Sequence, residues 1–568
     1  MKKNVFSPNR EQVLYALTFI IALILRLVEL EKLPLSDEEA RLALQALSLA
    51  RGDYTLYSNP HGGYLLITTA FFYLFTASDF MARLLPALLG AVICLIPYAF
   101  RNISGNKTGL ILAIGLALDG GWLAAGRVAA SYTWAILFFL LTIGAINSHR
   151  WKAAGVFIAL ALLGGVEIWK GLLPFLIAVW LYQRMSGRMF ESWDLIKSHL
   201  AETMIWAGGT ILVVGSVFLI LPVGLSAIGG GVIAYLRGWS TPANTPVGLL
   251  FAAVAVYQLP VLLFGVVAAI RQIKQPAGLE QFLTLWLILA LFHTLIYPGR
   301  EVLDVVWISI PLYGLAARLV ASFFRFDFDQ QVAALIYAIV LFVFLIFILQ
   351  NILGLLSPMR VAVNTQPQVI AILAAAFFLI ASIILIGWGW SIRVAGYGAV
   401  WGLLGLLIIF WLSSSIHAAG VGENPETNPF WRGKFIPEAD LLKDTIGDLS
   451  ELNNRSRTGI DVLGIGLDQP AMHWLAREYP NFVFENTFQP RLQNSIVLTS
   501  ATQEVLFNEN YRGQDFQWEV QPIWDLMTFQ EWLQWAIFKK APLGGRVIVL
   551  WARESLFPGS EITPEVQP

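Results

Sequence analysis

The sequence predicts a polytopic α-helical membrane protein that carries a soluble α/β domain after its last membrane span. Hydrophobic residues make up 57% of its 568 positions and charged residues only 13%, a composition far from that of soluble domains. Apolar runs long enough to cross a bilayer recur up to residue 413. The polar, proline-bearing stretch 422–435 then marks a domain boundary.

Roughly thirteen apolar runs can cross a hydrocarbon core of about 30 Å. They should be helices, because lipid offers the backbone no hydrogen-bond partners. The runs are 12–30, 80–100, 108–125, 131–147, 153–169, 171–183, 203–222, 247–270, 281–297, 302–320, 330–353, 367–388 and 394–413. The shorter run 64–77 suits a helix lying along the membrane surface within the first external loop.

Lysine and arginine in the connecting loops predict the orientation, because they collect on the cytoplasmic side. With a cytoplasmic N-terminus, the basic loops near Arg101, Arg150, Arg184, Arg271 and Arg393 all fall inside. Counting 64–77 as a span would place every later basic loop outside. We therefore expect a multi-pass plasma-membrane protein with an uncleaved first run and, since the span number is odd, an extracytoplasmic C-terminal domain.

The chain divides into a transmembrane domain (1–413), a linker (414–435) and a soluble domain (436–568). Strand-like runs in the soluble part are 459–466, 481–486, 495–500 and 545–551, and helix-like runs are 469–479 and 528–538. This alternation predicts a small α/β domain with a partly parallel sheet. Gly464 and Gly466 lack the third glycine of a dinucleotide fingerprint, so turn glycines explain them better.

Aromatic residues of the tail leave carbohydrate binding open. Its tryptophans are Trp431, Trp474, Trp518, Trp524, Trp532, Trp535 and Trp551. Tryptophan faces can stack on sugars, but aromatic side chains at helical spacing more often fill a core.

Charge and cysteine content argue against a nucleic-acid partner, a disulfide and a multi-cysteine metal site. The formal net charge is −1, and no basic stretch resembles a surface that follows a phosphate backbone, so nucleic acid is not an expected partner. The only cysteine, Cys94, lies in an apolar run. It excludes an intrachain disulfide and a multi-cysteine metal site.

An acidic triplet follows the first apolar run, where the chain leaves the bilayer. Ser36 to Glu39 reads as a capping box, with Ser36 as the N-cap and Glu39 at the third helical position. This box leaves Asp37 free, and the N-terminal helix dipole favours its ionised form. A carboxylate just outside the hydrocarbon core can act as a base on a substrate held at the lipid surface. Capping and catalysis therefore both remain open.

Five stretches share their order with a known family: PLSDEEA (34–40), NPHGGYL (59–65), ARLLPALLG (82–90), GGVEIWKGL (164–172) and YPGREVLDVVWISIPL (297–312). They resemble the C-type glycosyltransferases, integral membrane enzymes that include protein O-mannosyltransferases and lipid A aminoarabinose transferases. Each is short, but they follow one another in the order typical of that superfamily. The resemblance covers roughly the first 320 residues.

The resemblance implies a sugar transferred, with inversion, from a polyprenyl phosphate to an acceptor hydroxyl on a lipid, protein or glycan. It places Asp37 as the base, with Glu38 beside it. The family usually has a proline after the histidine or lysine near position 61, whereas here Gly62 follows His61. A divalent metal stays open as a cofactor, but 125–134 lacks the second external acidic residue that would help to hold it.

External cations are candidates for holding the leaving phosphate, whose negative charge must be stabilised at the bilayer surface. They are Arg83, Arg127, Lys170, Arg237 and Arg300. Lys170 and Arg300 coincide with matched stretches, and we assign them with Arg83 to the donor phosphate. His61, Arg127 and Arg237 are expected to contact substrate. The alternatives are anchoring to lipid headgroups, and for Arg300 an ion pair with Glu301 or Asp304.

Two functions of other classes remain open. A transporter or flippase of lipid-linked saccharides would also need many spans and buried cations, but no repeat between halves of the sequence supports it. A non-catalytic scaffold could bind glycans through the external domain. An Asp37 turned away from any cavity would favour the scaffold.

Overall fold

In the computed structural model, the described residues between Arg10 and Ala418 are mostly helical, and a mixed β-sheet follows them. The structure describes residues 10–53, 62–186, 197–220, 222–243, 245–274, 278–323, 328–356, 365–486, 494–503 and 505–557. The predicted site residue His61 lies outside these ranges.

The loop between the first two long apolar segments, which is predicted to be external, carries two helices. Helix α1 spans Arg10–Leu27, α2 spans Asp37–Ala50 and α3 spans Gly62–Leu74. The capping box predicted at Ser36 is present at the start of α2. It fixes the first turn of α2, and with it the backbone of Asp37.

The remaining helices of the membrane part follow the predicted apolar runs. They are α4 (Asp79–Ile93), α5 (Ile96–Ala99), α6 (Arg101–Ser104), α7 (Asn106–Leu118), α8 (Gly120–Ala125), α9 (Tyr132–Asn147), α10 (Trp151–Leu162), α11 (Val166–Ser186), α12 (Leu200–Thr210), α13 (Ser226–Gly238), α14 (Val247–Tyr257), α15 (Leu259–Lys274), α16 (Gly278–Ile296), α17 (Val305–Ser322), α18 (Phe328–Leu356), α19 (Gln366–Gly389) and α20 (Ile392–Ala418). Helices α6 and α13 lie outside the predicted runs.

Six helices of the described residues are long and apolar enough to cross a membrane, or up to seven if one bent pair counts as a span. Several others, such as α7, α9 and α10, are apolar but shorter than a bilayer crossing needs. All thirteen predicted runs are helical along most of their length. The molecule is thus a multi-pass helical protein, and the number thirteen stays a prediction.

The predicted span 247–270 is not a single helix. Helices α14 and α15 meet at an angle of 100°, with Gln258 between them. The Gln258 side chain is buried and donates to Asp119 Oδ1 over 3.0 Å, and Tyr313 donates to the other oxygen of Asp119 over 2.8 Å. The break is therefore stabilised by a buried polar network, as irregular backbone at membrane depth requires.

The C-terminal domain is an α/β unit with a five-stranded sheet in the order β2-β1-β3-β5-β4. Its strands are β1 (Val462–Ile465), β2 (Phe482–Glu485), β3 (Ile496–Ser500), β4 (Tyr511–Pro522) and β5 (Leu543–Arg553). Its helices are α21 (Ala439–Asn454), α22 (Pro470–Ala476) and α23 (Phe529–Phe538). Strand β1 is parallel to both neighbours and β5 is antiparallel to both of its own, which confirms the partly parallel sheet.

The C-terminal domain packs directly on the membrane part. Trp474 of α22 donates to Asp79 at the start of α4 over 2.7 Å. Trp535 of α23 is fully buried and lies against Tyr257 at the end of α14. The Trp474 and Trp535 rings thus fill this interface and do not face solvent. For these two residues, core packing explains the aromatic side chains better than stacking on sugars does.

The predicted orientation can be checked by cysteine labelling, because the single native cysteine, Cys94, is buried. Asp515→Cys on the exposed face of β4 should react with a membrane-impermeant maleimide in intact cells. Arg150→Cys, an exposed position in a predicted cytoplasmic loop, should react only after permeabilisation. The reverse pattern would overturn the orientation.

Candidate active site

The first turn of α2 is fixed by a buried ion pair beneath it. Glu39 accepts from Arg83 at both carboxylate oxygens, over 2.9 and 2.7 Å, and its Oε1 also accepts from the Ala129 backbone over 2.8 Å. Burial by itself raises the pKa of Glu39, but the Arg83 charge and these hydrogen bonds outweigh it and lower that pKa below its ordinary value. Glu39 is therefore an ionised anchor of α2.

Arg83 has all its donors occupied by protein. Besides Glu39, its guanidinium donates to the backbone carbonyls of Leu30, Leu33 and Pro34. These bonds hold the chain between α1 and α2 against α4. Its assignment to a donor phosphate stays a prediction, and in this arrangement no N–H of Arg83 is left over for a phosphate.

Asp37 lies at the junction between the loop that joins α1 to α4 and the C-terminal domain. Its Oδ1 accepts from the backbone N–H of Ala471, on α22, over 2.9 Å. Burial is the largest cause of a raised pKa at Asp37, opposed by that hydrogen bond. A half-buried carboxylate with a raised pKa is suited to take up a proton. Glu38, beside it, is more exposed and pairs with Arg41 over 2.6 Å.

The segment Trp431–Lys434 crosses this junction. Trp431 lies against Arg83, with 5.2 Å between the guanidinium carbon and the ring centre. The Gly433 backbone runs over the first turn of α2, since a Cβ built on Gly433 would lie 3.8 Å from Glu38 Cγ. Lys434 forms an ion pair with Glu519 of β4. Asp37 is electrostatically coupled to both Lys434 and Glu519.

A second charge cluster surrounds Lys170, which is buried in α11. Its ammonium donates to Asp304 over 2.9 Å and to the Tyr132 hydroxyl over 3.2 Å. Tyr132 in turn donates to Asp304 over 2.8 Å. Helix α11 approaches α17 closely here because residue 171 is glycine: a Cβ there would lie 2.0 Å from the Trp307 ring. The matched stretches around Lys170 and Asp304 are thus in direct contact.

Arg432 joins the second cluster to the same segment. Its guanidinium binds Glu301 through Nε and Nη2 over 2.9 and 3.0 Å. The Arg432 and Lys170 charges outweigh burial, so the pKa of Glu301 falls below its ordinary value. Arg432 and Lys434 are two residues apart, so one short segment contacts both the Lys170 cluster and Glu519 of β4.

Arg300 lies at the rim of the Lys170 cluster and is partly exposed. Its Nε donates to the Thr245 carbonyl over 3.0 Å and its Nη1 to the Leu295 carbonyl over 3.1 Å. Among the described residues it forms no ion pair, so the considered pairing with Glu301 or Asp304 is not seen. No carboxylate of the described residues thus lies within ion-pair distance of Arg300, whose positive charge can attract an anion.

In the part of the chain that the structure describes, the other predicted cations form no ion pair with these two clusters, although Arg127 lines a small cavity together with Arg83 and Trp431. Arg127 caps the end of α1 by donating to the carbonyls of Val28 over 2.8 Å and Glu29 over 3.0 Å, a favourable place for a cation. Arg237 is exposed on the last turn of α13. Their substrate contacts stay predictions.

Sequence reasoning missed Arg432, Lys434, Glu519, Tyr132 and Asp304 as site residues. Arg432 and Lys434 were visible as charges in the stretch 422–435, which was interpreted only as a linker. Their partners Glu301 and Glu519 are distant in sequence, so no local spacing could reveal these pairs. Among the described residues, no three His, Cys, Asp or Glu side chains are grouped so as to hold a metal ion.

No protein-family model matches the sequence, and no curated protein is significantly similar to it. Among solved structures, the fold is similar to ArnT from Cupriavidus metallidurans bound to undecaprenyl phosphate, with a TM-score of 0.53, 12% identity, and coverage of 96% of this chain and 98% of that chain. ArnT is a lipid A aminoarabinose transferase of the C-type superfamily. The chain has the C-type glycosyltransferase fold.

Two further structures are similar over much of the chain. ArnT in the apo state gives a TM-score of 0.47 at 15% identity, covering 94% of this chain and 97% of that chain. The Archaeoglobus fulgidus oligosaccharyltransferase tethered with an acceptor peptide gives 0.37 at 13% identity, covering 84% and 64%. The fold shared with the undecaprenyl-phosphate-bound ArnT structure confirms the resemblance to the C-type glycosyltransferases at the level of the fold, while the chemistry must be argued from the side chains themselves.

Proposed function

We propose that this protein transfers a sugar from a polyprenyl-phosphate donor to an acceptor hydroxyl on the extracytoplasmic face of the membrane. The observation that carries the proposal is the position of Asp37: a half-buried carboxylate between the first external loop and the C-terminal domain. The fold supports it, since a structure of similar fold holds undecaprenyl phosphate. The acceptor, whether lipid, protein or glycan, is left open.

In the proposed reaction Asp37 takes the proton of the acceptor hydroxyl. The acceptor oxygen then forms a bond to the anomeric carbon of the sugar. The bond between that carbon and the phosphate oxygen breaks, and both electrons leave with the polyprenyl phosphate. Attack on the face opposite the phosphate gives inversion, through an oxocarbenium-like transition state.

The leaving phosphate gains one negative charge as the bond breaks, so cations near it lower the barrier. Arg300 is the best placed, because its charge has no carboxylate partner among the described residues. Lys170 can contribute through its field, although Asp304 compensates it. We assign Arg300 to the donor phosphate and Lys170 to supporting it from the buried side.

A transfer assay tests the proposed function. The full-length protein in nanodiscs is incubated with synthetic undecaprenyl-phosphate hexoses and pentoses plus an envelope extract as acceptor. We expect release of undecaprenyl phosphate that depends on the extract, with the sugar recovered on a product by mass spectrometry. Binding without release, together with movement of the saccharide across vesicle membranes, would instead indicate a transporter.

Arg300→Gln should weaken undecaprenyl-phosphate binding by roughly ten- to a hundredfold, because a charge-assisted hydrogen bond contributes about 1.5–3 kcal/mol. Native mass spectrometry of protein in nanodiscs with undecaprenyl phosphate measures this. Lys540→Gln, which removes an exposed cation of the C-terminal domain, is the control and should bind as the parent does. Equal binding by both variants would remove Arg300 from the donor site.

A further inference from the structure

The C-terminal domain reaches Asp37 with three groups that lie on three separate elements. The Ala471 N–H on α22 donates to the Asp37 carboxylate over 2.9 Å. Glu519 on β4 and Lys434 on the segment Trp431–Lys434 form an ion pair with each other, both interact electrostatically with Asp37, and the neighbouring Gly433 lies over the first turn of α2. The candidate base therefore lies in the first external loop, but its polar surroundings come from a part of the chain about 400 residues later.

Burial differs between the two members of this ion pair. Glu519 is only 4% exposed at its side chain, whereas Lys434 is 47% exposed. A buried carboxylate needs a partner, because leaving it unpaired is strongly unfavourable. Lys434 supplies the cation from the solvent side, so the net electrostatic field of this ion pair at Asp37 depends on where the segment Trp431–Lys434 lies.

We infer that Lys434 and Glu519 are positioning residues of the Asp37 site, which set the charge of the proposed base from across the domain boundary. The inference rests on the proposed function, in which Asp37 accepts a proton. It gives the C-terminal domain a role in catalysis besides any contact with substrate. A domain that lifted away from α2 would leave the base with an altered proton affinity.

The groups around Asp37 shift its pKa in opposite directions. Burial, Glu519 and Glu38 raise its pKa, while the Ala471 hydrogen bond and Lys434 lower it. Loss of Lys434 removes a cation and leaves Glu519 uncompensated, so both consequences favour the protonated form of Asp37. Loss of the Glu519 charge acts in the opposite direction.

The test measures the protonation of Asp37 without using transfer activity. Full-length protein in nanodiscs is treated at a series of pH values with a diazo compound, which esterifies protonated carboxyl groups, and Asp37 esters are quantified by fragmentation mass spectrometry. Lys434→Gln should raise the pH of half-maximal labelling by about one unit. Glu519→Gln should lower it, and the double variant should lie close to the parent.

Two controls separate charge from structure. Lys434→Arg keeps the cation and should not shift the midpoint. Lys443→Gln breaks another lysine ion pair of the same domain, the one with Glu478. This variant should leave the labelling midpoint of Asp37 unchanged. A merely structural role would loosen the domain in both test variants and move both midpoints in one direction.

The inference is overturned if the labelling midpoints of Lys434→Gln and Glu519→Gln shift in the same direction, or if neither midpoint shifts. The proposed function has its own test in the transfer activity of Asp37→Asn, so the two failures can be told apart.

Discussion

Asp37→Asn should reduce sugar transfer by about 10²- to 10⁴-fold, the usual contribution of a positioned base. The amide keeps an oxygen that can accept from Ala471, so α22 stays docked on α2, but it cannot take the acceptor proton. In the parent, activity should fall as pH drops through the pKa of Asp37, which burial raises above its ordinary value. Initial rates of undecaprenyl-phosphate release across pH measure both effects.

Asp515→Asn is the matched control, since it makes the same change on an exposed strand position of the C-terminal domain. It should transfer within about twofold of the parent, because isolated surface changes have small effects. Donor binding should be unchanged in both variants. If Asp37→Asn kept its activity within about threefold of the parent, Asp37 would be a docking residue that only joins α2 to α22.

The membrane part could be predicted because lipid imposes one simple constraint on the sequence. Every backbone polar group must be satisfied internally, so long apolar runs become helices, and residues 366–389 or 392–418 illustrate this. The break between α14 and α15 could not be predicted in this way. Its partner groups on Asp119 and Gln258 are 139 residues apart, and hydropathy contains no signal for such a pair.

In the C-terminal domain four of the five strands were predicted, and β4 was not. Strands β1 and β3 are short apolar runs buried on both faces, which the sequence shows plainly. Strand β4 contains several exposed polar residues and an irregularity between Gln517 and Glu519. That irregularity interrupts the alternation of buried and exposed residues along β4. The sequence around Glu519 therefore lacks the two-residue hydrophobic period that predicts a strand.

The candidate site was predictable only where its geometry is local. The cap at Ser36 and the consequent position of Asp37 follow from four consecutive residues. The partners of the cations do not: Lys170 pairs with Asp304, 134 residues away, and Arg432 pairs with Glu301, 131 residues away. Charge alone suggested Arg300 as the partner of Glu301 or Asp304, but the fold brings Lys170 and Arg432 to them instead.

Arg83→Met should destabilise the protein by about 3–5 kcal/mol, because it leaves the Glu39 carboxylate buried without its partner. Both side chains are 1% exposed, so water cannot replace the lost bonds. Unfolding in detergent, followed by tryptophan fluorescence, measures the loss. Arg41→Met breaks the neighbouring exposed pair with Glu38 and should cost less than about 1 kcal/mol.

The double variant Arg83→Met with Glu39→Met tests whether Arg83 contributes to stability through its ion pair with Glu39. If the ion pair is the reason, removing both charges should restore much of the stability, since apolar replacements of a buried pair are often nearly neutral.

The ion pair between Arg83 and Glu39 should also weaken in acid. The pKa of Glu39 is lowered in the fold, so its contribution is complete above the ordinary glutamate value of about 4.3 and is lost as pH falls through the lowered value. If Arg83→Met instead unfolded like the parent but lost undecaprenyl-phosphate binding, Arg83 would belong to the donor site that its sequence position predicts.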